Sequence, residues 1–458
     1  MPSGHWRGSS QGELFAPSPR PVNLDPMHPL VRIADQLDWT ELEVLVQKVR
    51  RRKLKNGAGR PPHLRELIGT VIFAAWRKKP YRELHDQILY YAPARYLCAL
   101  SDSDWTPAFT TIQDFHQLIG EEGIALINDW VLRLAIVKKL ADPKILVADT
   151  TAQEAAIPYP NEVGLMAAFM TTMAMATRRA SGALRKLSKW AHQKMETVKQ
   201  KVRHHRFFAK SKEERLKRTQ EIARIVGIVQ GRVGKALRFP AGKVKKQGKV
   251  AQSKIRQLHS TMTALLPQIH HWIKTGFVAR GKIINLHIPS LYSIVRGKVG
   301  KPVEFGLKWG ISRLGGGFIR ATRAKDRSHL QDHAFVPRAV DDQVMTFGQV
   351  PRSFGYDRGG YSRANIAKLR AKGIRNIAIA PTGRSKWLVA GRIKKRLMSE
   401  RAQVEGCIGA IKSPRYGFNR PAARSVEMMG VCGQRAVLGF NLSKLIREID
   451  KQRMPSVT

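Results

Sequence analysis

Lys144-Ile-Leu-Val-Ala-Asp149 is the stretch at which the chain changes character. Before it, apolar residues recur at helical spacing. Here four apolar residues run without interruption, two of them branched at Cβ. A short run of this kind predicts a fully buried central strand. Asp149 comes at its end and is followed by Thr150-Thr151. A carboxylate at that position can close a strand-end turn, cap a helix, or face a site, and the run alone does not choose between them.

Upstream, residues 1–27 are rich in Pro, Ser and Gly and read as a flexible arm. From His28 the pattern is helical. Thr40-x-x-Glu43 has the spacing of a capping box, opening a helix with Leu42, Leu45 and Val46 on one face. The basic run Lys48 to Lys55 then ends in the breaker Asn-Gly-Ala-Gly-Arg-Pro-Pro. A second helix is predicted from about His63 to Lys78 and a third, after Pro80, over Tyr81–Tyr91. Joined at Lys78-Lys79-Pro80 in a basic setting, the pair reads equally as a helix-turn-helix or as part of an ordinary helical bundle. Thr110 and Thr111 are placed to cap a further long helix, with Ile112, Phe115, Ile119, Ile127, Trp130, Val131 and Leu134 as its apolar positions.

Downstream of Asp149 lies a long proline-free segment, Asn161 to Phe239, dense in Lys and Arg but keeping apolar residues at helical spacing. Ile255, Leu258, Met262, Leu265 and Ile269 continue that pattern. It reads as a basic helical insertion over about 155–278. Strand signals return at Ile283-Ile-Asn-Leu-His-Ile288. Val303 to Ile311, Gly315-Gly-Gly317 and Phe318 to Thr322 form a hairpin pattern turning on glycines. Ser353-Phe-Gly-Tyr-Asp357 is another short strand. Ser362 can cap a helix ending at Gly373, and Ile377-Ala-Ile-Ala380 is a last strand stopped by Pro381. The order predicts an α/β architecture, a mixed sheet flanked by helices.

The last element is Arg401-Ala-Gln-Val-Glu405-Gly-Cys-Ile-Gly-Ala-Ile-Lys412, read as helix. Val404, Ile408 and Ile411 make an apolar stripe; Arg401, Glu405 and Lys412 make a charged one. Alone, the charged stripe reads as a solvated face with an i,i+4 ion pair. Set beside Asp149 and Asp357 it has a second reading. Two strand-end carboxylates and one helix carboxylate are the parts of a two-metal phosphodiester site.

Composition sets the partner class. The 458 residues carry a formal charge of +47, with a pI near 10.9 and 43% hydrophobic residues. A folded chain so one-sided in charge calls for a dense polyanion, and nucleic acid is the obvious one. The charge is spread along the whole chain, unlike the single basic amphipathic helix of a membrane-surface protein. Cys98, Cys407 and Cys432 are too far apart for a zinc site or a disulfide scaffold, and a reducing cytoplasmic compartment fits. The opening residues lack the apolar core of a signal peptide. The longest apolar stretch, Val163 to Thr177, is too short to span a bilayer and reads as a buried helix.

In such a sheet, adjacent strands can bring Asp149 and Asp357 together, and a helix across the sheet end can add Glu405. Mg²⁺ or Mn²⁺ suits three such carboxylates; two ions can serve the attacking and leaving oxygens of an in-line displacement at phosphorus.

The spacing Arg401-x3-Glu405-x6-Lys412 resembles the helix of bacterial insertion-sequence transposases that carry an Asp-Asp-Glu triad on an RNase H-like fold. Gly409-Ala-Ile-Lys-Ser-Pro-Arg-Tyr-Gly-Phe-Asn-Arg420, Leu438-Gly-Phe-Asn-Leu442, Ala148-Asp-Thr-Thr151, Gly300-Lys-Pro-Val-Glu-Phe-Gly306 and Tyr356-Asp-Arg-Gly-Gly360 resemble that family too, as does the region of Gly59-Arg-Pro-Pro62. The resemblance runs from about residue 28 to 447. It implies an RNase H-like catalytic domain over 141–447 interrupted by the insertion, an all-α DNA-binding domain over 28–140, and a tail at 448–458. It also implies Asp149, Asp357 and Glu405 as the metal-binding catalytic triad, with Arg401 and Lys412 contacting DNA. Arg358, Lys78 and Lys79 are further candidate DNA contacts. The implied activity is binding of an element's terminal inverted repeats, cleavage and strand transfer, by a homodimer or larger assembly in the DNA complex, nucleoid-associated and away from membranes. The other readings are a transposase-derived DNA-binding protein without chemistry and a metal-dependent nuclease without strand transfer. Two departures stand out. Met398 occupies the position where the family's best-known version has a tyrosine. The insertion follows the first aspartate, where several relatives place theirs between the second aspartate and the glutamate.

Overall fold

The computed structural model describes residues 24–54, 63–101, 103, 105–239, 246–298, 301–325, 331–381 and 386–453. Most of the N-terminal arm, the breaker with Gly59-Arg-Pro-Pro62, Gly300 and the last five residues of the tail lie outside the described residues. Contacts divide the chain into two units. The first is Met1–Gln153, Lys308–Ala423 and Glu427–Thr458; the second is Glu154–Leu307 with Arg424–Val426.

The first unit opens with helices α1 (Pro29–Gln36), α2 (Trp39–Lys53), α3 (Leu64–Trp76), α4 (Tyr81–Tyr90), α5 (Ala92–Leu97) and α6 (Phe109–Val137). Helix α3 is their centre: every residue from Leu67 to Ala75 is buried. Gly69 is required there, because a side chain would run into the backbone of Cys98. Two caps differ from the sequence expectation. Asp38, not Thr40, starts α2 by accepting from the Glu41 amide. The spacing Asp38-x-x-Glu41 satisfies the same box rule, and the Glu41 carboxylate is turned instead to the Trp130 indole at 2.7 Å. Helix α6 begins after Ala108 with no side-chain cap, so Thr110 and Thr111 lie inside it, and it breaks at Gly120, whose φ is +62°. The tail is helical as far as Arg453.

The sheet contains β1 (Asp142–Glu154), β2 (Tyr292–Lys298), β3 (Lys301–Gly315), β4 (Ile319–Arg323), β5 (Ser353–Tyr356) and β6 (Asn376–Ile379), in the order β2-β3-β1-β5-β6, with β4 pairing on β3. Strands β1, β5 and β6 are mutually parallel; β3 and β4 are antiparallel. The result is an open mixed sheet, as the order of strand and helix signals predicts. The β3–β4 hairpin turns on Gly316 and Gly317, with φ of +84° and +90°. Helices α12 (Asp332–Phe347), α13 (Arg363–Ala371), α14 (Gly391–Lys412) and α15 (Val426–Arg453) complete the unit. Ser362 caps α13 as expected, accepting from the Asn365 amide. Phe354 and Tyr356 point into the main core with Phe335 and Val336 of α12. Ile145, Val147 and Ala378 point the other way, onto Leu397 and Val404 of α14.

Helix α15 is tied to the sheet by buried amides. Gln153 donates to the Met429 carbonyl at 2.9 Å and accepts from the Trp309 indole at 3.0 Å. The Asn441 side chain takes both backbone groups of Ile319: its Nδ2 donates to the carbonyl at 2.7 Å and its Oδ1 accepts from the amide at 3.0 Å. It acts as a one-residue strand neighbour for the start of β4.

The second unit contains α7 (Glu162–Arg179), α8 (Gly182–Lys186), α9 (Ser188–Phe207), α10 (Lys212–Leu237) and α11 (Lys246–Thr275), with β2 and the first half of β3. Met166, Phe169, Val198, Ile222, Val226, Leu258 and Met262 belong to its own core. The apolar stretch from Val163 lies in α7 and is mostly buried there, with Met175 exposed. No helix among the described residues is long and apolar enough to cross a membrane.

The strand expected at Ile283–Ile288 is absent; that segment is irregular. Ile284, Leu286 and Ile288 are buried in the alternating manner of a strand, which explains the signal. Side chains satisfy the backbone instead. Asn285 accepts from the amides of His287 and Ile288, and Gln268 from that of Ile283. The strand is β2, four residues further on.

Candidate active site

The β1–β5 register places the first two aspartates. Ile145 pairs with Ser353, Leu146 with Phe354 and Val147 with Gly355. Counting two residues further along each strand gives Asp149 and Asp357. Both lie on the face shared by Val147 and Gly355, where α14 packs. Gly355 keeps that packing close: a Cβ there would lie 3.2 Å from Val147 and 3.7 Å from the Leu397 carbonyl. Asp149 is not the end of its strand, as the sequence suggested; β1 runs on through Glu154. It is the point at which the partner β5 stops, so β1 has lost that neighbour on the α14 side.

Helix α14 carries Arg401 and Glu405 past this point. Val404 and Ile411 are buried and Ile408 packs beside them, as the stripe predicts. Arg401 donates to Glu405 at 3.0 Å, and the Glu405 side chain is 59% exposed. The Arg401 charge also acts on Asp357. Arg401 therefore bonds one carboxylate, Glu405, and lies within charge range of the other, Asp357. Lys412 lies about two turns beyond Glu405 at the end of the helix and is half-buried. Arg358 is exposed in the short turn after Asp357. Lys78 and Lys79 are exposed after α3; Lys79 pairs with Glu83, and the Lys78 stem lies over Gly417.

Asp332, Lys308, Thr150 and Tyr356, none of them assigned a role from the sequence, complete the site. Asp332, the first residue of α12, accepts from the Thr150 hydroxyl at 2.6 Å and from Lys308 at 3.2 Å. A Cβ on Gly359 would lie 3.0 Å from Asp332 Oδ2 and 3.3 Å from Asp357 Oδ1, so these oxygens crowd one small space. Tyr356 is fully buried behind them. No sequence signal marked Asp332, because its role depends on where α12 starts in space. Tyr356 was visible only as the neighbour of Asp357.

The electrostatics follow from this crowding. Burial and then the Asp332 charge raise the Asp357 carboxyl above its ordinary range, with Arg401 opposing. Burial, followed by the charges of Asp332, Asp149 and Asp357, holds the Tyr356 phenol well above its ordinary value. Asp357 Oδ1 is buried without a hydrogen-bond partner. An all-oxygen set of carboxylates has the chemistry that Mg²⁺ or Mn²⁺ accepts. Among the described residues, though, no three His, Cys, Asp or Glu side chains converge closely enough to hold a metal ion. The sheet brings Asp149 and Asp357 together, while Glu405 is turned to Arg401.

Residues 22–118 match the sequence model described as Transposase domain (DUF772). No curated protein and no solved structure matches the chain. The matched segment covers α1 to α5 and the first turns of α6, the helices that precede the sheet. The match identifies a transposase domain over residues 22–118.

Proposed function

We propose that the first unit is the catalytic part of a DNA transposase of the Asp-Asp-Glu class, built on an RNase H-like sheet. The observation that carries this reading is the β1–β5 register, which aligns Asp149 with Asp357 beneath the helix bearing Arg401 and Glu405. The sheet order supports it. Gln153 meets Trp309 while Ala155 meets Phe305, so β1 and β3 run in opposite directions. The series β4-β3-β1-β5-β6 is then three antiparallel strands followed by two parallel to the first.

In this proposal Asp149, Asp357 and Glu405 would hold two Mg²⁺ or Mn²⁺ ions, Glu405 only once it has left Arg401. The bound ions would supply activation of the attacking oxygen and stabilisation of the leaving oxygen. The protein's own groups do the rest. Arg401, released from Glu405, turns to the phosphate next to the scissile bond, where a guanidinium binds bidentately. Lys308 and Thr150 hold Asp332 in place behind Asp357. Arg358, Lys412, Lys78 and Lys79 contact the DNA backbone along the terminal inverted repeats. The product of cleavage is a 3′-hydroxyl, which attacks target DNA in a second in-line step. Joining two ends requires at least a dimer on DNA.

The test is a labelled duplex bearing the element's repeat, incubated with wild type, Asp149→Asn or Glu405→Gln, in Mg²⁺ or EDTA. Metal-dependent nicking by wild type alone supports the proposal. Nicking by either variant sinks it. The Arg401–Glu405 pair favours one other reading, a transposase-derived DNA-binding protein without chemistry. Repeat binding with no nicking under any metal, with paired ends supplied, would establish that reading instead. Nicking without strand joining would identify a nuclease.

A further inference from the structure

The second unit has a character of its own. Residues 154–307 hold 31 Lys and Arg against 7 Asp and Glu, a net of +24 (31 − 7). Its helices form a closed ring of neighbours: α7 packs on α9, α9 on α10, α10 on α11 and α11 on α7. The cross-links fix which ends coincide. Lys201 of α9 pairs with Glu221 of α10. Gln230 of α10 donates to Thr263 of α11 at 2.8 Å. Counting outward from these contacts, the end of α9, the start of α10 and the end of α11 finish at one level. Lys282, just past α11, pairs with Glu162 at the start of α7 and pins that helix to the same end.

That end exposes aromatic rings. Phe207 and Phe277 are each 75% exposed and Phe208 58%. Phe207 and Phe208 close α9, and Phe277 follows α11, so the rings sit at diagonal corners of the bundle. Arg206, Lys210, Lys212 and Lys274 stand among them. In an ordinary helix connection these positions are polar, and three exposed phenylalanines among cations at one level are not explained by the unit's own packing.

We infer that this end of the helical unit is a stacking platform for unpaired DNA bases, with the surrounding cations tracking the backbone. The inference rests on the transposase reading for the identity of the polyanion and goes beyond it by naming single-stranded DNA as this unit's ligand. The chemistry favours it over duplex DNA alone. Cations suffice for a duplex backbone, whereas an exposed ring gains from a base only where the base is unstacked from its neighbours.

Fluorescence anisotropy of the full chain tests this, with labelled oligothymidylate and a blunt duplex of the same length, for wild type, Phe207→Ala/Phe208→Ala and Phe277→Ala. The replaced rings are exposed, and circular dichroism checks that the fold is kept. The expected result is a loss on the order of tenfold in single-strand affinity for the double variant, with duplex affinity within about twofold. The salt dependence of single-strand binding should be unchanged, because no charge is removed. Equal weakening on both DNAs, or on neither, overturns the inference while leaving the transposase reading intact. Failure of wild type to bind either DNA overturns that reading too. Ring-dependent binding to phosphatidylglycerol vesicles in preference to the oligonucleotide would assign the platform to a membrane surface and overturn the inference.

Discussion

Replacing Asn441 with Leu gives the most direct measure of how α15 holds the sheet. The substitution keeps the volume and removes every hydrogen bond of the amide. In the native protein Asn441 Nδ2 donates to Asn128 Oδ1 and to the Ile319 carbonyl, each at 2.7 Å, and Oδ1 accepts from the Ile319 amide at 3.0 Å. Asn441 and Ile319 are fully buried and Asn128 nearly so, so water cannot replace the lost partners. The Ile319 carbonyl keeps a longer bond from Asn128 at 3.4 Å. The Ile319 N–H and Asn128 Oδ1 are left without the partners described. Each orphaned buried group costs about 1–3 kcal/mol, so together they cost about 2–6 kcal/mol. Extra apolar burial by Leu returns on the order of 1 kcal/mol, leaving a net loss near 3 kcal/mol. Urea unfolding followed at 222 nm should show it as a lower midpoint with an unchanged slope. Asn441→Asp, which keeps the acceptor and loses both donors, should be destabilised as well. A loss below about 1 kcal/mol for Asn441→Leu, the range of a surface change, would refute the view that this amide is a structural pin.

Further outcomes follow from the same reasoning. Asp357→Asn should raise the thermal midpoint in EDTA at pH 7. The native carboxyl holds its proton more tightly than the ordinary value of 3.8, so native stability falls as pH rises through the native pKa, and the variant lacks that loss. Variant and wild type should converge below pH 3.8, and identical melts at pH 7 would contradict the crowding described. Millimolar Mg²⁺ should raise the midpoint of wild type and leave Asp357→Asn nearly unmoved, which differential scanning fluorimetry can check. Gly310→Ala drives a methyl into the buried Phe335 ring and should cost about 1–3 kcal/mol in chemical denaturation, with partial rescue by Phe335→Leu. Arg313, almost fully buried, pairs with Glu400 and Gln403 of α14; Arg313→Met strands Glu400 and should cost about 3–5 kcal/mol by the same assay.

Local signals carried much of this architecture. The unbroken run at Ile145–Ala148, the glycines of the β3–β4 turn, Ser362 at the start of α13 and the Val404–Ile411 stripe all depend on residues within a few positions of one another. Each appears where its chemistry requires. What failed was local in appearance and tertiary in cause. Ile283–Ile288 alternates in burial as a strand does, yet Asn285 and Gln268 take its amides. Thr110 and Thr111 have capping side chains but lie inside α6, because the chain turns helical at Phe109. Helix α12 went unread, with Pro337 within it. Asp332 went with it, a carboxylate whose charge acts on Asp357 and that no spacing rule could connect. The charged stripe of α14 was read two ways, and both descriptions meet in Arg401, which bonds Glu405 while its charge reaches Asp357.

The helical unit leaves β1 and returns along β3, and the two crossings lie side by side. Ala155 donates to the Phe305 carbonyl at 2.8 Å, and Gln153 and Trp309, 156 positions apart, are hydrogen-bonded. For folding, this makes the unit a prefabricated clamp. If its own core forms first, its ends arrive already together, and joining β3 to β1 closes a gap of a few residues instead of a loop of 156. The difference in loop-closure entropy is about 3 kcal/mol. A chain whose central strand waits for a partner that far away would otherwise condense slowly. Early protection of α9–α11 amides in pulse-labelled hydrogen exchange, ahead of those in β1, would be the kinetic signature of an insertion that speeds assembly of the sheet it interrupts.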